Sequence, residues 1–508
     1  MSFAANIATG FATALEPFNL ALCAGGVTLG TLAGVLPGVG AITAISILLP
    51  LTFYMEPHSA IIMLAGIYYG AQYGGSTASI LMNIPGTSTH AVTCLDGYPL
   101  SKQGKAGPAL FVSAIASFVG GSFAILLMML TGPAIAEIAL EFQSAEYCAV
   151  MIFGLVAAST LSAGSPLKGL AMVTVGVALG FVGIDLTSGI YRFSFGFLEL
   201  SDGLNFIAVA MGIFGIAEIL LNLMKGSSTP FTIQSVKLRD LVPSREDARI
   251  SIMPTLRGMF IGSGCGVLPG VGPTIASFMA YAAEKRVSRH PERFGKGAME
   301  GVAGPESANN ASAQAAFIPT LSLGLPGDAM GAVLLGALML HGIAPGPSIV
   351  TEQPILFWGL IASFWIGNVL LLILNLPLIG VWVAMLRIPY GALYPAMLFF
   401  ICIGVYTINY NVFDVFVAVI FGVVGVVMML LQFPAAPLLL GFILGPLIEE
   451  NMRRALLVSR GDLTVLVSGP IAASFMAATA IVLLLTMLPF VRGLLTKRRT
   501  AHVAADAE

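Results

Sequence analysis

The chain has 508 residues, of which 57% are apolar and only 9% are charged, whereas an ordinary soluble protein carries roughly 25% charged residues. This composition excludes a water-soluble globular protein. The net charge of -2 and the pI near 6.2 also argue against nucleic acid as a partner, because such binding needs a concentrated basic surface.

Uncharged segments long enough to span a membrane recur along the chain, since ~20 apolar residues are needed for one span. In chain order they are 17–55, 57–95, 106–136, 147–167, 258–283, 353–386, 388–413, 415–448 and 463–491. Because the longest segments have room for two spans, we predict an all-α polytopic membrane protein with about 10–14 membrane segments. The apolar–polar alternation of a transmembrane barrel is absent.

The first apolar segment has no Lys or Arg ahead of it, so we expect an uncleaved first span rather than a cleavable secretory signal. Two polar stretches, 225–257 and 284–310, are too short to fold as domains of their own. No P-loop string occurs. Any soluble receptor or energy-coupling ATPase must therefore be another chain. The five cysteines have no metal or redox spacing, and we predict that they only pack.

One string occurs twice: GVLPGVG stands at 34–40 and again at 266–272, 232 residues later. A weaker pair follows, with NIPGT at 83–87 and GLPGD at 324–328, and the second half carries about nine extra residues between its motifs. We therefore predict a first repeat half (1–224), a basic cytoplasmic linker (225–257), a second repeat half (258–460), and a C-terminal helix with a cytoplasmic tail (461–508).

Opposite charge patterns flank the two copies. In the first half, Lys102 and Lys105 follow the second motif, and no Lys or Arg lies beside the first. In the second half the basic residues lie before the first motif and between the two motifs, and none lies in 341–352. The positive-inside rule therefore indicates two halves of inverted topology, as in many secondary transporters. Segment 258–283 has basic loops at both ends, so a re-entrant or broken Pro-Gly helix fits it best.

A helix that restarts after Pro-Gly presents free N–H groups and its positive dipole end, which suit a carboxylate or phosphate. Two such tips near the membrane midplane would bind an anionic solute. The alternative is that Gly and Ser only let the helices pack closely. Hydroxyl and amide side chains near the motifs are Ser76, Thr77, Asn83, Thr87, Ser88, Ser307, Asn309, Asn310 and Ser312.

Two acidic residues lie near the second half's motifs, and an acidic group near membrane depth is a functional hypothesis by default. Glu306 would coordinate a cation or, alternatively, cap a helix at a wet interface. Asp328 would do the same, with N-terminal capping as its alternative. His58 and His90 are single histidines without ligand spacing, and we predict interface or loop positions for both.

Three strings carry a resemblance to a known family. They are YGGSTASILMNIPGTSTHAVTCLDGYPLSKQGKAGPAL (73–110), GVLPGVGPTIASFMAYAAEK (266–285) and GVAGPESANNASAQAAFIPTLSLGLPGD (301–328). Over residues 18 to 450 the chain closely resembles the large membrane subunit of bacterial tripartite tricarboxylate transporters. Gly304, where a small Ala is more usual, is a mild departure.

The resemblance implies the translocation subunit of a secondary importer in the bacterial inner membrane. Its partners would be a small four-helix membrane subunit, a periplasmic solute-binding protein, an organic acid anion as substrate and the surrounding lipid; a homo-oligomer is compatible with this expectation. A sodium or proton gradient would drive uptake, and Glu306 and Asp328 are the candidates for coupling uptake to that gradient. No cofactor is expected. The implied substrate-binding residues are Gly38, Gly40, Asn83, Pro85, Gly86, Thr87, Ser88, Gly270, Gly272, Asn309, Asn310, Pro326 and Gly327.

Two other classes compete with this interpretation. A membrane-embedded enzyme would need pairs such as Ser76 with His90 or Asp328 with Asp414, but the usual motifs around them are absent, so we expect no enzyme. A passive anion channel or permease would also use broken helices that line a cavity. The family resemblance does not fix which carboxylate is carried.

Overall fold

The computed structural model describes residues 2–36, 40–139, 141–161, 165–185, 188–225, 240–386 and 390–486. These ranges are almost entirely helical, and their only strands are β1 (Gly183–Ile184) and β2 (Tyr191–Arg192), which pair antiparallel. The prediction of an all-α membrane protein is therefore confirmed.

The helices of the first half follow one another with short connections. They are α1 (Phe3–Ala14), α2 (Pro17–Val35), α3 (Ala41–Leu48), α4 (Pro57–Met82), α5 (Ala91–Lys102), α6 (Ala106–Ala139), α7 (Ser144–Leu161), α8 (Pro166–Gly180), α9 (Phe206–Ala210) and α10 (Ala217–Lys225). A π-helical turn (Met211–Ile216) joins α9 and α10 into one span.

The remaining helices begin inside the predicted basic linker. They are α11 (Arg245–Val267), α12 (Gly272–Val287), α13 (Glu300–Ala315), α14 (Phe317–Leu323), α15 (Ala329–Leu340), α16 (Ile349–Glu352), α17 (Pro354–Asn375), α18 (Ile379–Met385), α19 (Tyr390–Asn409), α20 (Val412–Leu430), α21 (Ala435–Val458), α22 (Val465–Ser468) and α23 (Pro470–Thr486). Proline opens α2, α4, α8 and α17, where its missing N–H is not needed and its fixed φ suits the first turn.

Six helical stretches within the described ranges are long and apolar enough to cross a membrane. They are Pro17–Val35, Ala106–Ile135, Phe206–Met224, Pro354–Asn375, Val412–Leu430 and Ala435–Val458. Six shorter apolar helices accompany them. The sequence analysis missed the span at Phe206–Met224, because Glu218 interrupts its apolar run.

The helix breaks predicted at the Pro-Gly motifs are present. We name them break 1 (36–40), break 2 (83–87), break 3 (268–271) and break 4 (324–328); residues 37–39 lie outside the described ranges. Break 1 separates α2 from α3, and break 3 separates α11 from α12. Break 2 follows α4, and break 4 follows α14. Both halves thus have the same order of helices and breaks.

A ladder of glycines holds α2 against α4 in the first half. A Cβ atom on Gly26, Gly30 or Gly34 would overlap the backbone carbonyl oxygen of a residue on α4. The carbonyls in question are those of Met63, Ile67 and Ala71, in the same order. Only glycine permits this approach of two backbones.

The same ladder recurs between α11 and α13. Gly258, Gly262 and Gly266 meet, in order, the carbonyl oxygens of Gly304, Ala308 and Ser312. Each glycine lies 232 residues after its counterpart in the first half, and each carbonyl lies 241 residues after its counterpart. The repeat therefore extends well beyond the two motifs, and the nine extra residues of the second half lie in the connection between the paired helices.

Three salt bridges join segments that are far apart in the sequence or on different helices. Lys105 pairs with Asp247 at 3.0 Å, and Arg257 on α11 pairs with Glu284 on α12 at 2.6 Å. Arg192 in β2 contacts Glu449 on α21 at 2.9 Å.

Candidate functional site

The breaks have matching backbone conformations in the two halves. Gly40 and its counterpart Gly272 both have positive φ, at 67° and 62°. Asn83 and its counterpart Gly324 both end a helix in the left-handed conformation, with φ of 59° and 67°. Asn tolerates this conformation better than most residues with a side chain. Gly270 also has positive φ, at 80°. The predicted site residue Gly38 lies outside the described residues.

Within each half, the second break contacts a helix end beside the first break. In break 2, a Cβ on Gly86 would overlap the carbonyl oxygen of Gly34, at the end of α2. In break 4, Gly327 has its carbonyl oxygen 3.0 Å from the position that a Cβ on Gly272, at the start of α12, would occupy. The glycines of the Pro85-Gly86 and Pro326-Gly327 pairs therefore allow this close approach.

The two halves also touch each other at these tips. Ser88, which follows break 2, places its Oγ 3.0 Å from Oγ1 of Thr274, which follows break 3. Tyr68 on α4 donates from its hydroxyl to Oδ2 of Asp328 in break 4, at 2.8 Å. The two halves are thus in direct contact at these residues.

Contacts between the halves are reciprocal. Asn309 Nδ2 on α13 lies 3.2 Å from Nε2 of His90, and Thr87 of break 2 contacts the other ring nitrogen of His90 at 2.8 Å. Asn309 is the counterpart of Tyr68, and Asp328 is the counterpart of Thr87, each 241 residues apart. Break 4 therefore meets α4 at the position equivalent to the one where break 2, through His90, meets α13.

Asp328 does two things at once. Its Oδ1 accepts from the backbone N–H of Gly331 at 2.8 Å and so caps α15, while its Oδ2 receives the Tyr68 hydroxyl. The capping alternative raised from the sequence is therefore present, together with a contact to the other half. Capping alone requires only Oδ1, so the second contact carries the argument for a functional role.

Glu306 and Asn310 lie away from the breaks, inside α13. Glu306 is 0% exposed, which contradicts the capping alternative at a wet interface. Its carboxylate accepts from Thr93 Oγ1 at 2.5 Å and lies 3.5 Å from Ser117 Oγ. Asn310 Nδ2 donates to the Glu306 backbone carbonyl at 3.2 Å. Asn309 and Asn310 are adjacent in sequence but point to different neighbours.

His90 ends the short 3₁₀ turn Ser88–His90 that connects break 2 with α5, in keeping with the predicted loop position, but its side chain is 0% exposed. Its Nε2 lies 2.8 Å from the carbonyl oxygen of Gln72 on α4. A lone histidine has no spacing that reveals such burial. The one feature of the sequence that could have indicated this burial is the position of His90 just after the NIPGT motif, inside the family string 73–110.

Glu218 is a site residue that the sequence analysis missed. Its carboxylate accepts from Thr43 Oγ1 at 3.1 Å, and both its oxygens lie 3.2 Å from the position of a Cβ on Gly40. It thus brings a negative charge to break 1 from a span with a π-helical turn just before it. Such turns are frequent at functional sites, and an acidic residue within an apolar span is the signal that could have identified it.

Asp96, also missed, holds the loop before α13. Its Oδ1 accepts the backbone N–H groups of Gly295, Gly297 and Ala298, each at 2.8 Å, and its Oδ2 accepts from Tyr281 at 2.9 Å. With both oxygens occupied, Asp96 is a structural carboxylate that fixes the approach to α13.

Comparison with known proteins identifies the family of the chain. The model of the tripartite tricarboxylate transporter TctA family matches residues 20–440. The chain belongs to this TctA family. A relative from Agrobacterium vitis, named as an uncharacterized 52.8 kDa protein in the TAR-I ttuC′ 3′ region, is 50% identical over 506 residues, covering 100% of both chains. No solved structure matches the chain.

A second Agrobacterium vitis relative of this TctA-family chain is named as an uncharacterized protein in the TAR-II ttuC′ 3′ region. It is 56% identical over 245 residues, which is 48% of this chain and 100% of that protein. The family establishes a multi-pass membrane protein that is one component of a tripartite transporter. It is a family of transporters rather than of enzymes.

The TctA-family chain has suitable groups for a small anion at its breaks. Helix α12 begins at Gly272, just after Gly270, whereas α15 begins at Ala329 with the Gly331 N–H already bound by Asp328. The hydroxyl groups of Ser88 and of Thr274, in the first turn of α12, lie 3.0 Å apart. Among the described residues, no group of three or more His, Cys, Asp or Glu side chains is arranged to hold a metal ion. Any coupling cation would therefore need carbonyl, amide or hydroxyl oxygens as additional ligands.

Proposed function

We propose that this chain is the translocation subunit of a cation-coupled, binding-protein-dependent secondary importer of tricarboxylates or related organic acid anions. The observation that carries the proposal is the set of contacts at the helix ends beside the Pro-Gly breaks, both within each half and between the two similar halves. Helix N-termini and hydroxyl groups at these breaks suit carboxylate groups. The tripartite family supports the need for partner subunits.

The solute site in this proposal consists of the breaks and the side chains that follow them. Its residues are Gly38, Gly40, Asn83, Pro85, Gly86, Thr87, Ser88, Gly270, Gly272, Asn309, Asn310, Pro326 and Gly327. Glu306 and Asp328 are the proposed coupling groups. The chain would work in the bacterial inner membrane with a small four-helix membrane subunit and a periplasmic solute-binding protein that delivers the anion.

Inverted topology of the two halves is part of the proposal. The reciprocal contacts of break 2 with α13 and of break 4 with α4 support it, because two-fold related halves exchange equivalent contacts in this manner. The opposite charge patterns around the two copies support it independently. Alternating access would follow if the module that carries the breaks shifts against the remaining helices.

Uptake into proteoliposomes tests this function. The chain and its small membrane subunit are reconstituted, and uptake of radiolabelled citrate and a panel of dicarboxylates is measured with and without the binding protein. Sodium and proton gradients are imposed separately. We expect accumulation that needs both the binding protein and one cation gradient. Downhill flux without either would instead identify a passive channel.

A further inference from the structure

The carboxylate of Glu306 lies in a group of oxygen atoms that the solute site does not use. Thr93 Oγ1 on α5 is 2.5 Å from Oε1, and Ser117 Oγ on α6 is 3.5 Å from Oε2. Ser113 lies one turn before Ser117 on the same face of α6 and also beside the carboxylate. All three side chains are at most 1% exposed. The carboxylate is therefore enclosed by hydroxyl groups from two neighbouring helices.

A further oxygen atom on α13 lacks a hydrogen-bond partner. Asn310 lies one turn after Glu306 on the same face of α13, and its Nδ2 donates to the Glu306 carbonyl. Its Oδ1 is buried and accepts no hydrogen bond. Such an orphaned atom is costly in a protein interior. An unpartnered amide oxygen one turn from a buried carboxylate points to a bound cation that both groups contact.

No basic side chain compensates Glu306 among the described residues, whose ion pairs involve other carboxylates. A buried carboxylate without compensation is strongly unfavourable, so it must carry a proton or contact a cation. The neighbours of the two carboxylate oxygens are the hydroxyl groups of Thr93 and Ser117, so a proton on Glu306 would be shared with them and would leave Asn310 Oδ1 without a donor. A hard cation, in contrast, binds carboxylate, amide and hydroxyl oxygens together.

We propose that Glu306, Asn310, Thr93, Ser113 and Ser117 bind one dehydrated sodium ion. This inference rests on the proposed cation-coupled function and assigns the coupling ion and its ligands. It also moves Asn310 from the proposed solute site to the cation site. Asn309 faces His90 and remains in the solute site, whereas the amide oxygen of Asn310 binds the cation.

Sodium binding is measured directly on the purified full-length chain in detergent. Binding of ²²Na⁺ is followed by scintillation proximity, and the thermal unfolding midpoint is recorded against NaCl, with choline chloride holding ionic strength constant. We expect a saturable rise of the midpoint with sodium but not with potassium, because a ligand bound only by the folded state stabilises it. Glu306→Gln is expected to abolish both signals.

Asn310→Ala tests the amide oxygen, and Asn375→Ala is its matched control. Asn375 Nδ2 also donates to the carbonyl four residues earlier, and its Oδ1 is likewise buried without a partner, but it lies on α17. We expect Asn310→Ala to weaken sodium binding by roughly tenfold or more, as loss of a supporting group does at metal sites. Asn375→Ala should leave sodium affinity unchanged.

Sodium-specific binding that persists in Glu306→Gln would overturn the inference, and so would its absence from the unmodified chain. A midpoint that responds to pH through Glu306 but not to sodium would overturn it in favour of a protonated carboxyl group. If Glu306→Gln does not fold, the Asn310→Ala and Asn375→Ala pair decides, and equal sodium affinity in those two variants rejects the site.

These outcomes are distinguishable from failure of the proposed function, because the binding measurement needs neither solute nor partner subunits. Sodium binding at Glu306 without a sodium requirement for uptake would leave this inference standing and reject sodium coupling. Sodium-driven uptake that survives in Glu306→Gln would keep the transport function and reject this site.

Discussion

The two pairs of breaks have similar backbone conformations but differ in the charged side chains beside them. Break 1 receives its carboxylate from Glu218, on a span that lies outside the repeated helices. Breaks 3 and 4 have their own carboxylate, Asp328, which sits where break 2 has Thr87. The repeat has therefore kept the glycine positions and helix ends, whereas the charged groups at the two ends of the site have diverged. The two halves are therefore alike in backbone conformation at the breaks and unlike in the position of their carboxylates.

The largest expected effect is at Asp328, which both caps α15 and accepts a hydrogen bond from Tyr68 of the other half. Asp328→Ala removes both interactions, and we expect it to abolish uptake without loss of membrane insertion. Asp328→Asn keeps an amide oxygen able to cap α15 but removes the charge. Uptake assays on both variants separate the two roles. Normal transport by Asp328→Ala would remove this residue from the site.

The corresponding test in the first half is Glu218→Gln, which keeps an acceptor for Thr43 and removes only the charge. We expect uptake to fall by about tenfold, equivalent to ~1.4 kcal/mol. Asp414→Asn is the matched control, because Asp414 is a carboxylate in another apolar span, where amides of Asn205 and Asn409 hold it. Equal uptake in both variants would show that the charge near break 1 has no role in transport.

The glycine ladders should be equally sensitive in the two halves. Gly26→Ala and Gly262→Ala each force a Cβ against a backbone carbonyl, and overpacking of this kind costs ~1–3 kcal/mol. Gly25→Ala and Gly264→Ala are matched controls, since nothing lies within 4 Å of a Cβ at either position. Thermal unfolding in detergent measures the difference. Control variants as unstable as the ladder variants would contradict this account of the packing.

The smallest effect concerns the cytoplasmic pair of Lys105 and Asp247. Burial alone would raise the pKa of Asp247, but hydrogen bonds from Ser244 and Lys105 outweigh it and hold this pKa below its ordinary value. Because this pKa is lower in the folded than in the unfolded state, the charged carboxylate stabilises the folded protein above about pH 4. That stabilisation is lost as the pH falls further.

Lys105→Met should therefore lower the unfolding midpoint at pH 7 but not at low pH. The effect should be at most ~1 kcal/mol, because Lys105 is 46% exposed. Thermal unfolding at the two pH values checks it. A loss of equal size at both would show that the charge of Lys105 is not what stabilises the pair.

Local signals account for what the sequence predicted well. Pro-Gly pairs break helices wherever they occur, so all four breaks were predictable, and long uncharged segments marked most of the spans. The span that contains Glu218 was missed, since its charge interrupts the apolar run. Burial of His90 arises from contacts with α4 and α13, which no local pattern encodes. Asn309 and Asn310 contact different neighbours because successive residues of a helix point ~100° apart.

The ladders also determine where the chain tolerates changes in length. One residue inserted between Gly26 and Gly34 would rotate every later position of α2 by ~100° and turn the remaining glycines away from α4. The same holds between Gly258 and Gly266. The nine-residue difference between the halves lies outside both stretches, in the connections beyond the breaks. Insertions and deletions in relatives of this chain should therefore concentrate in those connections, while the two glycine stretches keep a fixed number of residues.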